Sequence, residues 1–192
     1  MSVIQVKALA GKVTMATMEE TQVFENRILE RLNARLTVKG FIEAAVSLLA
    51  DAVDLLILQV FRKDDYAVKY AVEPLLEGSG PLAALPVRLK LIYALGVITR
   101  DEYEDVELLL ALNNELLNIQ DNLSFTDDEV LGPLHMLHGI TLPPPPVLNL
   151  PEDVIDDKLV DMQLQRYQQA IRSTLVLYIT DLLSRLGHKK AF

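Results

Sequence analysis

The stretch Phe41–Phe61, FIEAAVSLLADAVDLLILQVF, decides the fold of this chain of 192 residues. Wound as a helix it is apolar on nearly all sides, and such a helix belongs at the centre of a bundle. It is long enough to cross a bilayer, which takes about 20 residues. However, Glu43, Asp51 and Asp54 interrupt it, and each charge would cost roughly 2.5–3.5 kcal/mol near the membrane centre. We therefore predict a buried central helix and no membrane span.

Helical patterns also flank this stretch on both sides. On the N-terminal side, apolar residues at four-residue spacing predict a helix over Thr17–Leu36. On the C-terminal side, Thr99 and Glu102 form a capping box, and Thr126 with Glu129 repeats the pattern. The remaining helices are expected to begin near Asp64–Asp65 and stop near Pro74, to run from Pro86 to Gly96, from 100 to Leu117, from 126 to before Gly139, and from Asp156-Asp157 to Leu186.

No stretch alternates in the manner of a β-strand, so the predicted fold class is all-α. We expect a compact multi-helix bundle of about six to eight helices, with a central apolar helix and a long C-terminal helix. Residues 1–16 are expected to form a flexible N-terminal arm, and residues 17–192 a single all-helical domain. The proline run Pro143–Pro146 is expected to be an extended surface linker or a ligand for an aromatic groove.

The long C-terminal helix is too apolar to stand alone in water. Its stripe must pack on the bundle or on a second copy of the chain, and symmetric pairing is the commonest way to cover such a surface. We therefore expect a homodimer. The stripe comprises Val160, Leu164, Tyr167, Ile171, Leu175, Tyr178, Leu182 and Leu186.

Charge is divided unevenly along the chain, and this argues against direct nucleic-acid binding. Residues 1–98 are neutral in sum, whereas 101–161 carry 15 acidic residues and a single base, Lys158. Binding a duplex normally requires a basic face. The turn Gly96–Thr99 superficially fits a helix-turn-helix, but the helix after it begins with RDEYED at 100–105, and four acids there would repel phosphates.

Residue types that commonly form catalytic, metal-binding or phosphate-binding sites are scarce. There is no cysteine, which excludes a Cys-ligated zinc site. His135 and His138 are three apart and could share a helix face, but the sequence nominates no third metal ligand; His188 lies in the tail. Gly78-Ser79-Gly80 lacks the further glycine or lysine of a phosphate loop. We therefore assign no catalytic, cofactor-binding or metal residue and expect no enzymatic activity.

A row of basic residues follows the first predicted helix at four-residue spacing. It contains Arg27, Arg31, Arg35 and Lys39, and it is either an anion-binding stripe or a set of internal cross-links. If the first two helices form an antiparallel hairpin, facing residues have numbers that sum to about 78 (an estimate from a turn near Thr37–Gly40). The expected pairs are then Arg35 with Glu43, Arg31 with Ser47 and Arg27 with Asp51.

The segment Asn113–Asn118 distantly resembles the R-N-x-x-A-H signature of small all-helical ribonuclease and nucleotide-binding domains. Asn113 stands at the position of the arginine, and Asn118 at that of the histidine. Asparagine cannot titrate near neutral pH or act as a general acid. If the resemblance holds, the scaffold is retained without the catalytic pair.

Several long strings are too distinctive to be generic helix patterns. They are LQVFRKDDYAVKYAVEPLL at 58–76, VRLKLIYALGVITRDEY at 87–103, FTDDEVLGP at 125–133 and QRYQQAIRST at 165–174. Together with GPL at 80–82 and the proline run, they make most of the chain from Thr17 to Phe192 resemble the mannitol operon repressor family.

This resemblance implies a cytoplasmic bacterial protein that lowers the expression of genes for mannitol uptake and mannitol-phosphate oxidation. Because no DNA-reading element is evident, we expect repression through a protein partner, either a co-regulator or the phosphocarrier protein of the sugar phosphotransferase system. One alternative is a direct DNA-binding repressor whose dimer gathers Arg172, Arg185, Lys189 and Lys190 into one basic face. The other is a degenerate helical nucleotide- or RNA-binding domain.

Overall fold

The computed structural model describes residues 22–61, 66–146 and 157–189. These residues form seven α-helices and no β-strand, which confirms the all-α prediction. The expected arm at 1–16 and the predicted helix starts at Thr17, Asp64–Asp65 and Asp156 lie outside the described residues. The helices are α1 (22–33), α2 (Val38–Val60), α3 (Tyr66–Leu76), α4 (Leu85–Ala94), α5 (Arg100–Asn118), α6 (Asp128–His135) and α7 (Asp157–Gly187).

Helix α2 lies at the centre of the bundle, as its sequence predicts, and contacts α4, α5 and α7. It starts three residues before the predicted Phe41, because the hydroxyl of Thr37 accepts a hydrogen bond from the Gly40 N–H at 3.1 Å. A threonine in this position satisfies one of the free amide groups of the first turn. Phe41 is completely buried and meets the ring of Phe125 edge-on, with centroids 5.5 Å apart.

Helix α1 packs antiparallel on α2 and ends earlier than predicted. Its residues Ile28 and Leu32 are buried in the core shared with α2. The prediction that α1 reaches Leu36 is wrong, because the chain must turn at 34–37 to enter α2. The guanidinium of Arg172 on α7 donates to the carbonyls of Asn33 and Arg35 at 3.0 and 2.9 Å, and so caps the end of α1.

The turns that follow α3 and α4 agree with local sequence signals. Gly78 and Gly96 adopt positive φ angles of 60° and 71°, a backbone conformation that glycine accepts without steric cost. Helix α4 ends at Ala94 with Leu95 as its cap, and Gly96 takes the position just after the cap, where the sequence predicted the terminating glycine. Helix α3 ends at Leu76, close to Pro74 as predicted. The proline itself is still helical, because in the last turn its missing N–H leaves only one carbonyl without a hydrogen-bond donor.

The two predicted capping boxes have different outcomes. At α5 the Thr99 hydroxyl accepts from the Glu102 N–H at 3.3 Å and the Glu102 carboxylate accepts from the Thr99 N–H at 2.8 Å, which confirms the first box. The prediction of a second capping box at Thr126 and Glu129 is wrong. Helix α6 starts one residue later, after Asp127, whose carboxylate instead accepts from the Ser124 N–H at 2.8 Å.

Helix α7 is the long C-terminal helix that the sequence predicts. Its second half, from Ile171 to Leu186, carries the buried part of the predicted stripe and packs on α2. In its first half, Val160 and Leu164 remain 36% and 42% exposed. The proline run Pro143–Pro146 between α6 and α7 has no regular secondary structure and is largely exposed, in agreement with a surface linker.

Candidate interaction surface

The first turns of α5 direct two carboxylates into the protein interior. Within the described residues, Glu102 and Asp105 are the only buried charged side chains, at 2% and 1% exposure. Their three-residue spacing places both on the inner face of the helix. Glu102 also accepts from the Lys189 ammonium at 2.9 Å. Burial works to raise the pKa of Glu102, but the hydrogen bonds from Thr99 and Lys189 outweigh it and hold that pKa below its ordinary value.

Asp105 joins three parts of the bundle through its carboxylate. One oxygen accepts from the backbone N–H of His138 at 2.8 Å and lies 2.9 Å from Nδ1 of the same residue. The other oxygen accepts from the Tyr178 hydroxyl on α7. The hydrogen bond to Asp105 raises the pKa of His138, while burial and then the same carboxylate raise the pKa of Tyr178.

The outer face of the same turns carries aromatic and acidic groups held in fixed positions. The rings of Tyr93 and Tyr103 stack with centroids 4.6 Å apart, and the Tyr103 hydroxyl donates to Glu107 at 2.8 Å. Glu104 pairs with the Arg100 guanidinium at 2.6 Å and lies 3.5 Å from Nε2 of His138. We name this contiguous set the acidic–aromatic surface; it comprises Tyr93, Tyr103, Glu104, Glu107 and His138.

The segment that carries most of the acidic–aromatic surface is strongly acidic, and the base beside it, Arg100, is paired with Glu104. Residues 101–146 hold ten acidic side chains and no lysine or arginine. Tyrosine side chains are enriched at the centres of protein interfaces, and complementary charge guides and orients partners. The arrangement is therefore suited to binding the basic face of another protein.

The histidines do not form the pair that their spacing allows. Helix α6 ends at His135, and His138 lies beyond it, turned toward Asp105. His188 lies with Nδ1 2.6 Å from the Ser184 carbonyl. In the part of the chain that the structure describes, no three His, Asp or Glu side chains converge in a way that could hold a metal ion.

The basic row is largely an internal feature of the α1–α2 hairpin. The predicted register is confirmed at Arg31, which donates to Ser47 at 3.1 Å. The predicted pair of Arg27 with Asp51 is wrong, because Arg31 is long enough to take Asp51 as well, at 3.1 Å. Arg35 and Glu43 line the same small pocket without a hydrogen bond between them, and Lys39 reaches the Leu117 carbonyl at 3.4 Å.

The basic groups required by the DNA-binding alternative are engaged within the molecule. Arg172 caps α1, Arg185 pairs with Asp181 at 3.0 Å and Lys189 pairs with the buried Glu102. Lys190 lies outside the described residues. These contacts leave little free positive charge at the end of α7.

The segment with a distant ribonuclease-like pattern lies at the end of α5. The Asn118 side chain donates to the Asn114 carbonyl at 3.0 Å and so closes the last turn of the helix. Gly78-Ser79-Gly80 forms the loop between α3 and α4. Across the described ranges, no helix combines the length and the apolar character that crossing a membrane requires.

Sequence reasoning located the acidic region but missed the cluster around Asp105. The cluster joins residues 33 and 73 positions apart, and no local spacing signals such contacts. The available signal was that Asp105 lies three residues after the capping residue Glu102, on the face that the cap turns inward. The contact between Tyr178 and Asp105 could not be predicted without knowing how α7 packs on α5.

Together these observations define an all-helical protein with an acidic surface, ordered by hydrogen bonds and a ring stack, that is suited to protein binding. Residues 24–187 match the family described as Mannitol repressor, and the chain belongs to that family. It is 62% identical over 178 residues to the mannitol operon repressor of Escherichia coli K12, an alignment that covers 92% of this chain and 89% of the relative.

Two further comparisons give a solved structure with a similar fold and a more distant relative. The X-ray structure of the MtlR–HPr complex from Escherichia coli matches with a TM-score of 0.81 and 61% identity, over 86% of this chain and 99% of that one. Fumarase E of Escherichia coli K12 is 32% identical over 118 residues, which cover 61% of this chain and 70% of the relative. The chain is thus a homologue of the mannitol operon repressor, with more distant similarity to Fumarase E.

Proposed function

We propose that this chain is a cytoplasmic repressor of mannitol genes that acts by binding the phosphocarrier protein HPr through its acidic–aromatic surface. The observation that carries the proposal is this surface, in which stacked tyrosines lie beside the half-buried carboxylate of Glu104 and the exposed carboxylate of Glu107. The similarity to a protein that forms an MtlR–HPr complex supports the identity of the partner.

The acidic–aromatic surface is held in place before any partner arrives. Tyr103 is fixed by its stack on Tyr93 and its hydrogen bond to Glu107, and Glu104 is fixed by Arg100. Association costs free energy for every side chain that it immobilises, so contacts that already order these groups reduce that cost. On the inner side of the same helical turns, Asp105 is bonded to Tyr178 on α7 and Glu102 is paired with Lys189, which follows α7.

We further propose that the chain binds no DNA by itself and carries out no catalysis. The acidic content of 101–146 and the internal pairing of Arg172, Arg185 and Lys189 support the first statement. The second is supported by the extent of the similarities, since the mannitol operon repressor covers 92% of this chain and Fumarase E covers 61%.

Calorimetric titration of the full chain with purified HPr tests the proposal. We expect a saturable complex that weakens as salt is raised, because the attraction is electrostatic. The variant Glu107→Lys should raise the dissociation constant by at least about tenfold, since like charges across an interface cost several kcal/mol. Glu115→Lys is the matched control, because Glu115 is an exposed acid on the same helix outside the surface.

If Glu107→Lys and Glu115→Lys weaken HPr binding equally, only net charge matters, and the acidic–aromatic surface is not the binding site. No binding of HPr by the unmodified chain would remove the proposed partner. A tight and sequence-selective complex of the pure protein with operator DNA in an electrophoretic shift assay would remove the proposed mechanism.

A further inference from the structure

A second surface feature lies apart from the acidic–aromatic surface. A cleft of about 580 Å³ opens between the start of α2, the loop joining α5 to α6, and α7. This volume falls in the range of roughly 300–1,000 Å³ that is usual for small-molecule sites. We name it the polar cleft; the polar side chains that line it include Lys39, Glu43, Gln120, Asp121, Asn122 and Gln168.

Most hydrogen-bonding groups of the polar cleft are available to a ligand. Among the described residues, the side chains of Glu43, Gln120, Asp121 and Asn122 have no hydrogen-bond partner. Gln168 uses one amide proton, donated to Ser124 at 3.2 Å, and keeps its carbonyl oxygen free. The amides supply donors and acceptors together, and the carboxylates supply acceptors. A ligand must therefore offer both kinds of group.

The charges of the polar cleft favour a neutral ligand. Glu43 and Asp121 contribute two carboxylates, whereas Lys39 contributes a single ammonium. An anion such as a phosphate ester would be drawn to the ammonium and repelled by both carboxylates. Hydroxyl groups both donate and accept hydrogen bonds, so a polyhydroxylated neutral molecule matches this set of side chains.

The aromatic content of the polar cleft favours an open chain over a ring. Cyclic sugars offer a flat apolar face that pairs well with an exposed aromatic ring. The aromatic side chain here, Phe125, is buried and packs edge-on against Phe41. An acyclic polyol has no such face and depends on hydrogen bonds alone, which the cleft provides from three separate parts of the fold.

We propose that the polar cleft binds an open-chain, uncharged polyol. The choice of a hexitol as the probe rests on the proposed function, because the chain belongs to the Mannitol repressor family. The geometry of the cleft is independent of that function. The loop that lines the cleft connects α5 to α6, and α5 also carries Glu104 and Glu107 of the acidic–aromatic surface.

Calorimetric titration of the full chain with D-mannitol and D-sorbitol tests this proposal. We expect saturable binding with one site per chain, and weaker binding of cyclic D-glucose and of D-mannitol 1-phosphate. Saturation is measured in place of a melting temperature, because polyols at high concentration stabilise proteins through exclusion from their surface. Each lost hydrogen bond should weaken binding roughly tenfold, as expected for Gln168→Ala and for Asn122→Ala.

The control variant is Gln169→Ala, because Gln169 is the exposed neighbour of Gln168 on α7 and lies outside the cleft. It should bind hexitols as the unmodified chain does. Asn122→Ala lies in an exposed loop and serves as the independent variant if Gln168→Ala disturbs the helix. Circular dichroism of each variant reports whether the fold is retained.

Three results would overturn the proposal: no saturable binding of either hexitol, tighter binding of the phosphate ester than of the polyol, or equal weakening by Gln169→Ala and the two cleft variants. Titration with HPr on the same samples separates this outcome from that of the proposed function. If HPr binds normally and no hexitol binds, the polyol proposal is contradicted and the proposed function is not.

Discussion

Asp105 is a buried carboxylate, and its hydrogen bonds determine whether its charge is tolerated. A buried charge that loses a partner is costly, whereas one with all its hydrogen bonds is stable. Tyr178→Phe removes the hydroxyl that donates to Asp105 and leaves the ring in place. We expect the free energy of unfolding to fall by about 1–3 kcal/mol in urea titrations. Tyr167→Phe is the control, because Tyr167 lies on the same helix and has no hydrogen-bond partner among the described residues. A similar loss in both variants would contradict this role for Asp105.

The side chain of His138 gives the same cluster a dependence on pH. Its hydrogen bond to Asp105 raises the pKa of His138 above the ordinary 6.5, and Asp101 and Glu104 favour the charged form as well. A raised pKa means that the folded protein holds the proton more tightly than the unfolded chain does. The stabilisation is therefore complete below about pH 6.5 and is lost as the pH rises through the raised value.

Comparison with His138→Ala measures this contribution. The backbone N–H of residue 138 still reaches Asp105 in the variant, so only the ring is removed. We expect the stability difference between the two proteins to be larger at pH 5.5 than at pH 8.5 in matched urea titrations. A difference that grows with pH would show that the ring stabilises the fold in its neutral form.

At the scale of the helices, features determined by nearby sequence were predicted well. Features determined by tertiary contacts were not. The apolar pattern of α2 was sufficient to predict that helix, and the capping box of Thr99 and Glu102 was sufficient to predict the start of α5, because each signal lies within one continuous segment. The early end of α1 and the shifted start of α6 depend on distant or competing partners. Arg172 reaches α1 across 139 positions of sequence, and Asp127 bonds to Ser124 in place of forming the predicted box.

The capping of α1 by Arg172 predicts that one helix depends on another. Removing the guanidinium leaves the carbonyls of Asn33 and Arg35 without this donor, and hydrogen bonds to charged groups contribute about 1.5–3 kcal/mol. Arg172→Gln should therefore increase amide hydrogen exchange in α1 and at the start of α2 more than in α5. Arg166→Gln, an exposed change on the same helix, should leave the pattern unchanged. Uniform loss of protection throughout the bundle would contradict a local cap.

At the scale of the whole molecule, the sequence predicted the sign of the charge but not the shape of the candidate surface. Counting acids along 101–161 was enough to expect an acidic region. It could not show that Glu102 and Asp105 turn inward while Glu104 and Glu107 turn outward, because the inner carboxylates find their partners in Tyr178 on α7 and in Lys189, which follows α7. The stack of Tyr93 on Tyr103 likewise forms only when α4 and α5 pack together.

The first half of α7 leads to the last prediction, which concerns oligomeric state. Val160 and Leu164 are one helical turn apart on the same side of α7 and remain exposed, whereas the rest of their stripe is buried from Ile171 onward. A second copy of the chain is the simplest cover for this side, so we expect a dimer by light scattering at micromolar concentration. Leu164→Lys should convert it to a monomer without loss of helical content. Leu177→Lys should leave the dimer intact, because Leu177 is also exposed on α7 but does not belong to the stripe. A monomeric unmodified chain would end this prediction, and dissociation by both variants would place the contact elsewhere on the helix.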